Sequence, residues 1–202
     1  MTIWAIVPVK PLRLGKSRLA GVISDDDRIQ LNIKLLENTL KTLSQIQEIG
    51  QVLVVSRDAN VLSIARNYGA KTILENGAPQ LNKALMRATV FAQQHAIRGV
   101  LIIPADLPLI SKSDILSLLR LGKEPPIVVI SPDRREDGTN ALLISPAGLI
   151  EYDFGPGSFE RHCRRAKLAG VKLEIIKLST LTFDLDIPED LKMLDEINGI
   201  SR

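Results

Sequence analysis

Apolar and polar positions follow two alternating rhythms along this chain. Ile3–Val9 is a short, nearly continuous apolar run, as expected of a strand buried on both faces. Behind Ser24 and Asp27, a candidate capping box, Ile29, Ile33, Leu36, Leu40 and Leu43 recur at helical spacing. Gly50 reads as the close of that helix, ahead of a second strand at Val52–Val55. Asn60–Tyr68 then reads as a helix ended by Gly69, Lys71–Leu74 as a strand and Gln80–Ala96 as a helix. The strongly apolar Val100–Ile103 follows Gly99, and Ser111 with Asp114 starts a helix running to about Leu121. Ile127–Ile130 and Ala141–Ile144 read as strands around the turn-rich Pro132–Asn140. A helix follows Gly157 and Ser158, Leu173–Leu178 is a strand, and Pro188 opens a final helix over Glu189–Ile197.

Strand–helix alternation of this kind predicts a three-layer α/β/α sandwich with a mainly parallel, Rossmann-like sheet. Right-handed crossovers would gather the loops after the strands along one edge, where ligands of such sheets bind. No repeat, linker or low-complexity stretch divides the sequence, so one domain is expected over residues 1–202.

Composition narrows the class. Hydrophobic residues at 45% and charged residues at 24% are ordinary for a globular chain, and 202 residues suffice for a sizeable core. No run approaches the roughly 18 apolar residues of a membrane span. The N-terminal segment reads as a strand, without the basic start and small-residue cleavage site of a signal peptide. Cys163 is the one cysteine, which rules out an internal disulfide and suits a reducing, cytoplasmic location. The net charge of +3 is too mild, and the aromatic content of 3% too low, to argue for nucleic acid. A mild positive excess suits a small polyanionic substrate.

Four segments carry the chemistry. The loop after the first strand sets Lys10, Arg13, Lys16 and Arg18 within nine positions, enough to wrap a triphosphate or to form a solvated basic turn. It lacks the glycine spacing of a P-loop, of which only Gly15-Lys16-Ser17 matches the end. Asp106, directly after the apolar strand and between Pro104 and Pro108, is placed to hold Mg²⁺ against phosphate oxygens, or to cap a turn. In extended structure Asp184 and Asp186 share a face. Asp184 is favoured as a metal ligand and Asp186 as an N-cap, since Pro188 and Glu189 follow it, or as a support beside the metal, with the choice between cap and metal left open. Finally, Thr139 and the turn Gly155-Pro156-Gly157-Ser158, which runs into a helix, offer N–H groups and a hydroxyl to a phosphate or carboxylate, or form an ordinary N-cap. His162 and Cys163 are adjacent and do not face one another on a helix, which argues against a catalytic pair.

Taken in order, these segments resemble a known family. Pro8-Val9-Lys10 with Lys16-Ser17-Arg18-Leu19, then Leu81-Asn82-Lys83-Ala84-Leu85, then Ala105-Asp106-Leu107-Pro108 are similar to the GT-A-like nucleotidyltransferases. Gly138-Thr139-Asn140, Phe154-Gly155-Pro156-Gly157-Ser158 and Asp184-Leu185-Asp186 narrow the resemblance to the phosphoenolpyruvate and 2-phospho-L-lactate guanylyltransferases of coenzyme F-420 biosynthesis. The resemblance spans nearly the whole chain. It implies GMP transfer from GTP to a phospho-acid with loss of pyrophosphate, and Mg²⁺ on Asp106 and Asp184. It further implies a catalytic and nucleotide-binding Lys10, a nucleotide site completed by Lys16, Arg18 and Asn82, and an acceptor site of Thr139, Gly155 and Ser158. Gly15 departs from the family's usual alanine. Open alternatives are another acceptor on the same fold, a sugar phosphate or molybdopterin, or a nucleotide-binding regulator without turnover. The pattern leaves monomer and homodimer equally open and points to no membrane or nucleic-acid partner.

Overall fold

A computed structural model describes residues 2–197 and 199. Its seven strands form one sheet in the order β3-β2-β1-β4-β6-β5-β7. They are β1 (Thr2–Val9), β2 (Ile49–Ser56), β3 (Lys71–Leu74), β4 (Ile97–Ile102), β5 (Ile127–Pro132), β6 (Thr139–Ser145) and β7 (Lys172–Ile175). β6 runs antiparallel to both its neighbours, and every other pairing is parallel.

The helices are α1 (Asp25–Ser44), α2 (Ala59–Asn67), α3 (Leu81–Gln93), α4 (Lys112–Leu121), α5 (Ser158–Leu168), the four-residue α6 (Ser179–Thr182) and α7 (Pro188–Ile197). The apolar run of β1 is divided residue by residue between two cores. Ile3, Ala5 and Val7 meet Leu36 and Leu40 of α1, Val61 of α2 and Leu118 of α4 on one face. Trp4 and Ile6 meet Leu85 and Ala88 of α3 and Ala166 of α5 on the other. A period of two with apolar residues at both phases thus becomes a sheet covered on both sides, the expected three layers. Among the described residues, no helix is long and apolar enough to cross a membrane.

Two local expectations change. α1 stops at Ser44, and Gly50 lies inside β2, where a Cβ would stand 2.5 Å from the Thr2 hydroxyl oxygen. That glycine serves close strand packing and does not end a helix. The last strand ends at Ile175, short of Leu178, and the chain turns into the short α6, which packs against β5 and β6. Ser111 does form a full capping box with Asp114.

Strand order reverses at β1: β2 and β3 lie on one side and β4 on the other. The crevice beyond the carboxyl ends of β1 and β4 is where doubly wound sheets bind ligands. The basic loop leaves β1 there and Asp106 follows β4. β6 arrives from the opposite direction, with Leu142 opposite Ile102 and Leu143 opposite Leu101. β6 begins at Thr139, so its first residue lies at the same end of the sheet as the last residues of β4.

Candidate active site

The loop after β1 is fixed from behind. Leu12 N–H donates to Asp58 Oδ2 at 2.9 Å, Asn32 Nδ2 donates to the Leu12 carbonyl at 2.8 Å, and Arg28 Nη1 donates to the Gly15 carbonyl at 3.2 Å. At its far end Lys16 has φ 54 and ψ 35, a left-handed conformation that costs a non-glycine residue about 1 kcal/mol or more. The strain turns the side chain inward: Lys16 is 6% exposed, and its Nζ donates to Asp186 Oδ1 at 3.0 Å and Asp106 Oδ2 at 3.2 Å.

Asp184 completes the cluster. Phe183 and Leu185 are buried while Asp184 and Asp186 are half-exposed, so the two carboxylates share one face as the i, i+2 spacing demands. Leu185 N–H donates to the Asp106 carbonyl at 3.1 Å, tying this segment to the loop after β4. Burial, then repulsion from Asp106 and Asp186, pushes the Asp184 carboxyl up to about 6. Asp186 moves the other way: burial works to raise it, but Lys16, Arg18 and Lys10 together hold it below the usual carboxylate range. Burial likewise works to lower Lys16, and Asp106 and Asp186 outweigh it, for a net rise.

This acidic corner fits a hard divalent cation. Its donors are carboxylate oxygens, and Asp184 carries repulsion that the nearby lysine does not relieve. Among the described residues, no group of three His, Cys, Asp or Glu side chains is gathered closely enough to hold an ion. A metal here would therefore take its remaining ligands from substrate oxygens or water, as Mg²⁺ commonly does.

Three residues stand in surroundings that their spacing did not specify. Asp186 is not the cap of α7. Its carboxylate faces Lys16 and Arg18, and Asp190 Oδ2 accepts the N–H groups of Asp186 at 2.8 Å and Ile187 at 2.9 Å. Lys16 sits between carboxylates, whereas Lys10 and Arg18 stay exposed, with Arg18 reaching Asp186 at 3.8 Å. Asn82 is bound to the backbone of Phe154 in both directions, accepting its N–H at 2.8 Å and donating to its carbonyl at 3.2 Å. It therefore staples the start of α3 to the glycine turn.

That turn approaches the start of β6. Gly155 at φ 130 and Gly157 at φ 70 take conformations that L side chains rarely adopt, letting the chain double back into α5. The amides expected to greet an anion are largely used: Gly157 N–H donates to Asp137 Oδ1, Ser158 N–H to the Gly155 carbonyl and Phe159 N–H to the Asp137 carbonyl. What the turn delivers is a pair of hydroxyls, Ser158 Oγ donating to Thr139 Oγ1 at 3.1 Å. Behind them stands His162, fully buried and 3.0 Å from Thr139 Oγ1 through Nδ1. Sequence reasoning misses it by weighing only its neighbour Cys163. The usable signal is the i, i+4 spacing from Ser158, which puts both on one face of α5.

A mostly parallel sheet with a basic loop, acidic residues and paired hydroxyls at one edge has the architecture expected of a nucleotidyltransferase of the GT-A-like type. The fold is shared with a nucleotidyl transferase from Methanothermobacter thermautotroptrophicus, at TM-score 0.66, 16% identity and 99% coverage of both chains. Residues 3–197 match the family described as Guanylyl transferase CofC like, and this chain belongs to that family. It is 40% identical over 200 residues to the phosphoenolpyruvate guanylyltransferase of Rubrobacter xylanophilus, covering 99% of this chain and 97% of that one. It is 32% identical over 186 residues to the 2-phospho-L-lactate guanylyltransferase of Methanocaldococcus jannaschii, covering 92% of this chain and 79% of that one. Membership of a transferase family sets aside the regulator without turnover.

Proposed function

We propose that this chain transfers the GMP part of GTP to phosphoenolpyruvate, with 2-phospho-L-lactate as the alternative acceptor, in the route to coenzyme F-420. The observation that carries the reading is the meeting of two unlike sites at one sheet edge, Lys16 with Asp106, Asp184 and Asp186 beside the hydroxyls of Thr139 and Ser158. A phosphate oxygen of the acceptor attacks the α-phosphorus of GTP, the bond to the β-phosphate oxygen breaks, and pyrophosphate leaves. The attacking oxygen is already anionic, so positioning and charge neutralisation are the main demands and no general base is needed. Mg²⁺ held by Asp106 and Asp184 would supply charge neutralisation at the α-phosphate. Lys10 and Arg18 line the exposed side of the loop, where they would steady the departing pyrophosphate, and Lys16 spaces the carboxylates. Thr139, Gly155 and Ser158 would hold the acceptor, and Asn82 would keep their turn in register with the nucleotide side. The whole chain, residues 1–202, would act as one domain.

Incubation with GTP, Mg²⁺ and each phospho-acid, followed by mass spectrometry of the products, tests this. The expected product is guanylylated phosphoenolpyruvate with equimolar pyrophosphate, abolished by EDTA. Pyrophosphate release that ignores the phospho-acid would sink the reading.

A further inference from the structure

We infer that His162 is a positioning residue for the acceptor: it fixes the direction of the hydrogen bonds around Thr139, leaving the Thr139 hydroxyl proton for the bound anion. The inference rests on the proposed acceptor site and deepens it. Asp153 N–H lies 2.9 Å from His162 Nε2, and a backbone N–H can only donate. Nε2 must therefore offer a lone pair, and the neutral ring keeps its proton on Nδ1. That proton points at Thr139 Oγ1, 3.0 Å away. Ser158 Oγ donates to the same oxygen at 3.1 Å.

A hydroxyl has two lone pairs and one proton. Both Thr139 lone pairs are filled from inside the protein, so toward anything else this hydroxyl is a donor. The Ser158 proton is already committed to Thr139. Of the paired hydroxyls, then, Thr139 grips an anionic oxygen and Ser158 supports it. The arrangement is held still as well as directed. Phe154 packs its ring against the imidazole at 4.8 Å, and Asn82 fixes the Phe154 backbone on the other side. Burial keeps the imidazole neutral by pushing its pKa down to about 4.

Steady-state kinetics of four variants with GTP and phosphoenolpyruvate test the assignment. Thr139→Val should raise the KM for the phospho-acid about tenfold, the usual consequence of removing one hydrogen bond to a charged ligand. His162→Gln, whose amide oxygen can replace Nε2 but not the Nδ1 donor, should raise it by a similar factor while leaving the KM for GTP unchanged. His162→Asn can place an amide nitrogen where Nδ1 stands and should recover most of the lost affinity. The double variant Thr139→Val/His162→Gln should be no worse than Thr139→Val alone, because both act through one hydroxyl. Equal phospho-acid KM values for His162→Gln and His162→Asn would overturn the positioning role while leaving the acceptor site standing. An unchanged KM in Thr139→Val would overturn the acceptor site itself. Independently of folding in any variant, ring ¹⁵N NMR of the unmodified protein should show the Nδ1–H tautomer of His162. A proton found on Nε2 would sink the inference.

Discussion

The two halves of the site meet at one sheet edge and are built from opposite materials. Around Lys16 the groups are charged, half open to solvent, and paired with one another in place of substrate. The groups that hydrogen-bond around His162 and Thr139 are neutral, largely buried and already paired in a fixed direction. The charged half can release its internal ion pairs and redeploy them on phosphates, which suits a site whose ligand loses a polyanion during each turnover. The neutral half is arranged before the ligand arrives, which suits selection of a small anion by a few hydrogen bonds.

The contrast can be broken first at Asp106. Asp106→Asn keeps the shape of the charged half but removes the charge. The rate should fall about a hundredfold to a thousandfold, as when a group stabilising transition-state charge is lost. Both KM values should stay near those of the unaltered enzyme, and full activity would remove Asp106 from the metal site.

Acid should distinguish the halves next. His162 is held down to about 4 from an ordinary 6.5 by burial, against the pull of Asp153 and with help from Arg165 and Arg161. Below 6.5 the unfolded chain takes up a proton that the folded chain refuses. Stability is therefore intact above that pH and declines as pH falls toward 4. At about 1.4 kcal/mol per pH unit between 6.5 and about 4, the total loss is about 3.5 kcal/mol. Urea midpoints across this range should show the slope in the unaltered protein and a flatter one in His162→Gln. Equal slopes would mean that His162 titrates freely.

The smallest effect concerns the loop's backing. A Cβ on Gly15 would lie 2.6 Å from Asn32 Nδ2, the atom that holds the Leu12 carbonyl. Gly15→Ala should displace that amide and cost about 1 kcal/mol, the worth of one such hydrogen bond. In an Asn32→Ala background the cost should vanish, as a thermal melt would show.

Much of the architecture was legible because the strands carry apolar residues at both phases of their period, as β1 does between its two cores. Asp106 stood out because it follows a buried apolar strand, and Asp184 because it alternates with Asp186 on one face of an extended segment. The direction of β6 was not legible. A strand with both faces buried has the same pattern read either way, and only pairing with β4 and β5 settles it. Nor could spacing reveal the inward turn of Lys16, which depends on a left-handed backbone that sequence would normally assign to glycine. Asp190 took the capping role expected of Asp186 because ion pairing with a buried lysine claims the nearer carboxylate.

The reversed strand has a consequence for descent. β6 presents its first residue to the active edge, whereas its parallel neighbours present the loops beyond their last residues. The acceptor side therefore hangs on the turn of one hairpin, residues 133–138. A lineage that lengthened or recharged that turn would reach both halves of the site, since its Arg134 pairs with Asp190 at 2.7 Å and Asp190 accepts the Asp186 N–H at 2.8 Å.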